Sequence, residues 1–63
     1  MTLSEFNKLD LKEQAEIVWE NGILEHHTSD GENHFVLYNV YDFFVEIKFD
    51  SKTNDIIQLI SFP

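Results

Sequence analysis

Sixty-three residues carry twelve Asp/Glu against four Lys, with no Arg, no Cys and a net charge of −8. That balance excludes disulfides and thiolate metal sites, and it argues against direct contact with nucleic-acid phosphates or anionic lipid. The length limits the chain to one domain, residues 1–63, with little room for a desolvated catalytic cleft.

The first third reads as helix in two pieces. Thr2-x-x-Glu5 and Asp10-x-x-Glu13 are both capping boxes, in which side chains satisfy the first free N–H groups of a helix. Leu3, Phe6 and Leu9 recur every three residues, whereas Leu11, Ala15 and Val18 recur at four and three. At 100° per residue the second set does not continue the stripe of the first. The spacing predicts a turn of helix near residues 3–8, a break at Leu9-Asp10 and a main helix over 11–21. Gly22 stands where a left-handed C-cap belongs. Trp19, beside the apolar stripe, is expected in the core.

Beyond Gly22 the chemistry becomes that of strands. Ile23–His27 is a short candidate, and Ser29-Asp30-Gly31-Glu32-Asn33 is a strong turn signal. Phe35–Val40 follows, rich in β-branched and aromatic residues, with Tyr41-Asp42 as a tight connection. In Phe43–Phe49 the residues Phe43, Val45, Ile47 and Phe49 point one way and Phe44, Glu46 and Lys48 the other. Asp50–Asn54 is the next turn and Ile56–Phe62 the last strand. Connections this short force antiparallel neighbours. The expected fold is therefore α+β: an N-terminal helix, preceded by a short helical turn, packed on a four-stranded antiparallel β-meander.

One helix covers one sheet face. The apolar residues in excess of that face predict a second, partly apolar surface with Phe44 and some of Val36, Tyr38, Ile57 and Leu59 on it. Such a patch fits a protein partner or self-association. No apolar run approaches the roughly 18 residues of a membrane span, and Met1–Glu5 has neither the basic region nor the apolar run of an export signal. A cytoplasmic protein without a membrane partner is expected.

Catalytic and metal chemistry find little support. His26, His27 and His34 flank one turn, and zinc takes His and carboxylate ligands. Adjacent His26 and His27 point to opposite faces of a regular strand, however, so at most one joins His34. Solvated turn histidines are the better reading, and a small metal enzyme built on them is the weakest of three alternatives. Asp30-x-Glu32 around Gly31 lacks the ligand pattern of a calcium loop. No nucleophile stands with a positioned base and a third orienting group. The chain is read as a non-enzyme without cofactor or metal.

The carboxylates are the stronger candidates. Glu13, Glu16 and Glu20 fall at i, i+3 and i+7 and line one helix face. With Tyr38 and Phe44 as apolar anchors, and with Glu46, they form the expected partner-binding set. A helix face of carboxylates approximates the spacing of phosphates, so the partner would be a basic surface that handles nucleic acid. The competing reading treats the acidic surface as a device for solubility in a small homodimeric or antitoxin-like module.

In size, acidity and helix-then-meander order, the chain resembles the compact anti-CRISPR inhibitors. Leu11–Gly22 (LKEQAEIVWENG) and Phe35–Asp50 (FVLYNVYDFFVEIKFD) are also similar to segments of small uncharacterised proteins of Bacteroidetes-type bacteria. Together these resemblances imply an inhibitor of a type VI-B CRISPR effector, an RNA-guided RNase. No family motif fixes a residue, so no functional position is carried over.

Overall fold

A computed structural model describes all residues from Met1 to Pro63. The order is α1 (Leu3–Asn7), α2 (Leu11–Asn21), β1 (Gly22–Ser29), β2 (Asn33–Val40), β3 (Phe43–Asp50) and β4 (Ile56–Phe62). The strands form one antiparallel sheet in the order β1-β2-β3-β4, the α+β meander expected from the turn spacing.

Both capping boxes form. The Glu5 N–H donates to the Thr2 hydroxyl at 3.1 Å while the Thr2 N–H donates to the Glu5 carboxylate at 2.8 Å. At α2 the Glu13 N–H donates to Asp10 at 2.8 Å and the Asp10 N–H to Glu13 at 3.3 Å. These bonds start each helix, and extended backbone at Asp10 (ψ 170°) separates them. The separation lets α1 deliver Phe6 to the core. There Phe6 is fully buried, with its ring centroid 5.2 Å from that of Phe43.

Gly22 departs from the expected left-handed cap. Its φ of −78° and ψ of 143° are extended, and α2 passes into β1 with no intervening loop. The glycine is needed for space: a Cβ there would lie 2.5 Å from the Val18 carbonyl oxygen. The positive φ values sit instead in the turns, at Gly31 (92°), Tyr41 (55°) and Asn54 (62°). Two turns share one device. Asp30 accepts the N–H groups of Glu32 and Asn33 at 3.0 and 2.8 Å. Asp50 likewise accepts those of Lys52 and Thr53 at 2.8 and 3.1 Å.

The helices pack on one face only. Val18 from α2 and Phe6 from α1 form one buried cluster with Val40, Phe43, Val45 and Ile47, and Ala15 is buried as well. The register corrects the expected division of residues between faces. Val40 opposes Phe43, Tyr38 opposes Val45 and Val36 opposes Ile47, so Tyr38 and Val36 share the helix-covered face. Leu59 opposes Ile47 and joins them. Four consecutive apolar residues, Phe35 to Tyr38, left the parity of β2 ambiguous, and Val40 settles it by pairing with Phe43. The uncovered face carries Phe35, Leu37, Phe44, Glu46, Lys48, Ile60 and Phe62. Each edge strand has one irregularity, at Glu25 in β1 and at Ile57 in β4. No helix is long and apolar enough to cross a membrane.

Candidate functional site

The outer surface of α2 combines charge with an exposed aromatic ring. Glu13, Glu16 and Glu20 are all exposed, and at 1.5 Å per residue they span about 10 Å of the helix. Glu13 also serves as the capping carboxylate of α2, so part of its hydrogen-bonding capacity is spent on the backbone. Glu16 and Glu20 lie beyond the first turn and have no capping duty.

Trp19 is not in the core. It is 58% exposed, and Leu11, two turns earlier on the same stripe, is 48% exposed. The reason is helix phase. Ala15 can share its stripe with Leu11 and Trp19 or with Val18 and its neighbours Gln14 and Ile17. The structure buries Val18 fully and Gln14 and Ile17 partly. Leu11, Lys12, Ala15, Glu16 and Trp19 consequently form one wall of a groove of about 400 Å³. Asn54, Asp55 and Ile56, where the last turn enters β4, form the other. Leu11, Ala15, Trp19 and Ile56 make its apolar lining, and carboxylates stand on both walls, Glu16 on one and Asp55 on the other, against a single ammonium, Lys12.

The remaining members of the expected set lie elsewhere. Phe44 and Glu46 are on the uncovered sheet face, where the Phe44 ring stacks on Phe62 with centroids 5.8 Å apart and planes at 22°. On the same face the Lys48 ammonium stands 5.8 Å from the centre of the Phe35 ring. Tyr38 is on the opposite face, half-buried, and burial pushes its phenol above the ordinary value. A Cβ on Gly22 would come within 3.2 Å of its ring. Tyr38 and Phe44 therefore do not form one anchor. The six residues divide into three on α2, two on the open sheet face and one beneath the helices.

The strand alternation does bring one histidine pair together. His27 Nε2 and His34 Nδ1 are 3.2 Å apart, within hydrogen-bonding distance, and their rings tilt at 35°. His26 pairs with Leu37 on the other face. His27 and His34 line a hollow of about 350 Å³ with Val36, Phe49 and Asn54. No group of three or more His, Cys, Asp or Glu side chains is placed to hold a metal ion.

Three carboxylates titrate below their ordinary range because they serve the backbone. Asp30 is held down first by the Asn33 N–H and then by that of Glu32. Asp50 is held down by the N–H groups of Lys52 and Thr53. Glu5 is held down by the Thr2 N–H and then its hydroxyl. A carboxylate used in this way is already partnered with the backbone, whereas Glu16 and Glu20 accept no such bond. No protein-family model matches the chain, and neither a curated protein nor a solved structure does.

Proposed function

We propose that this protein is a non-enzymatic binding module whose α2 surface docks on a basic, nucleic-acid-handling surface of another protein. An RNA-guided defence nuclease of the type VI-B class is the specific target proposed. One juxtaposition carries the reading: Trp19, more than half exposed, lines a largely apolar groove together with Glu16, and Glu20 follows it on the exposed side of the same helix. Tryptophan is, with tyrosine and arginine, among the residue types enriched at the energetic anchors of interfaces. Carboxylates around such an anchor raise the association rate with a basic surface and reject acidic ones. The net charge of −8 extends the same preference over long range. Trp19 replaces Tyr38 as the apolar anchor of the helix surface, and Phe44 with Glu46 belongs to a separate face.

The test is a titration of the protein into a guide-loaded type VI-B RNase with cleavage of target RNA as readout. Inhibition is expected at near-stoichiometric ratios, weakening as salt rises from about 50 mM to about 300 mM because exposed charges become screened. The double variant Glu16→Lys/Glu20→Lys should lose inhibition at least tenfold while its circular dichroism is unchanged. Failure of the wild type to inhibit at large excess removes this nuclease class. Undiminished inhibition by the double variant removes the α2 surface.

A further inference from the structure

The two edges of the sheet are guarded differently. β1 carries Glu25 at an irregularity in its pairing, followed by two histidines. β4 reads Ile-Ile-Gln-Leu-Ile-Ser-Phe and has no charged residue, in a chain where 25% of residues are Asp, Glu, Lys or Arg. Its one irregularity lies at Ile57. From there Gln58–Phe62 pairs without interruption against Lys48–Phe44, so the outer edge of those five residues is regular. Exposed edges normally carry a charge, a proline or a bulge that blocks the addition of another strand; β4 has its irregularity at Ile57 and Pro63 just past its end, and Gln58–Phe62 between them has none of the three. Here α1 lies over β4 on the helix side, where the Ser61 hydroxyl donates to Asn7 Oδ1, and β3 is its only strand neighbour. Ile57, Ile60 and Phe62 remain 50, 44 and 37% exposed.

We infer that the β4 edge is a self-association surface: a second copy of this chain adds its own β4 antiparallel to the first, about a two-fold axis near Ile60. An uncharged strand has no side-chain charge to attract a charged peptide, whereas antiparallel pairing about a two-fold sets it against an equally uncharged strand with no like charges opposed. Ile60 then faces its symmetry mate, Gln58 faces Phe62, and Leu59 faces Ser61. The nearest carboxylates on the open face, the two copies of Glu46, are three strand spacings apart. That is about 14 Å, beyond the screening length of about 8 Å at physiological salt. The uncovered faces merge into one eight-stranded surface, and the α2 surface stays free in each copy. The inference stands independently of the function proposed above.

A strand edge offers less than the roughly 800 Å² per partner of standard-size complexes, so weak, concentration-dependent association is expected. Sedimentation and amide hydrogen exchange of the full chain from about 10 µM to about 1 mM test this. The expected result is a monomer–dimer equilibrium with protection of residues 58–62 that grows with concentration. Ile60→Lys should abolish both effects. Leu37→Lys, in the middle of the open face, should preserve them. The exchange measurement on wild-type protein carries the test even if the lysine variant folds poorly. A monomer at 1 mM overturns the inference. So does a dimer lost in Leu37→Lys but retained in Ile60→Lys, which would mean that the sheets stack face to face.

Discussion

The Val18 carbonyl oxygen lies 2.5 Å from the point where a Cβ on Gly22 would fall, and this approach sets the junction of the two layers. Val18 is buried, and its carbonyl accepts the Gly22 N–H at the end of α2. Gly22→Ala must therefore shift the helix end or the first residue of β1. A loss of about 2 kcal/mol is expected, within the range of steric insertions into packed sites, with a lower urea midpoint and an unchanged slope. A variant as stable as wild type would show that the junction relaxes freely.

Phe6 holds the only full burial in α1, against Phe43. Truncation to alanine should cost about 3–5 kcal/mol, comparable with the whole stability of a domain this small. Phe6→Ala is expected to be largely unfolded at 25 °C by near-ultraviolet circular dichroism. A cooperative unfolding transition close to that of wild type would contradict the placement of α1.

Acid should loosen the turns. Asp30, Asp50 and Glu5 have folded pKa values below their unfolded ones, so each contributes stability that is present above the unfolded value and lost as pH falls through the folded value. The unfolded values are about 3.9 for Asp and 4.3 for Glu, so the loss sets in near pH 5 and grows as pH falls further. Asp50→Asn keeps an acceptor oxygen for Lys52 and Thr53 but does not titrate. Its stability should fall less steeply over that range, as thermal melts at successive pH values would show.

Trp19 supplies its own reporter. Being 58% exposed among carboxylates, it should emit as solvated indole and be quenched more by caesium than by iodide, with the difference narrowing in salt. Equal quenching by both ions at low salt would mean that the acidic side chains do not surround the ring. On binding a partner through α2, the emission should shift to the blue.

The elements of this fold were legible because local chemistry marks their ends. Thr2-Glu5 and Asp10-Glu13 locate both helices, and the turns at Asp30 and Asp50 separate the strands, with the Ile56–Phe62 strand recovered residue for residue. What stayed hidden depends on approach and phase. Glycine serves both left-handed caps and close contacts, so Gly22 read as the former. Ala15 belongs to two helix stripes, and only the tertiary packing chose Val18 and Ile17 over Leu11 and Trp19. The acidic face was readable from spacing. The groove beside it was not, because its second wall, Asn54 to Ile56, comes from a turn some forty residues away.

The absence of a loop between α2 and β1 has a consequence for recognition. A helix on a flexible tether must surrender orientational freedom when it is captured, and that loss subtracts from affinity. Here the helix ends in the first residue of a paired strand, Gly22 opposite Val40, so the ring of Trp19 and the carboxylates of Glu16 and Glu20 ride on a strut with no pivot. The helix backbone is oriented before any encounter, so a partner of this surface would have the side-chain rotamers left to order and not the helix.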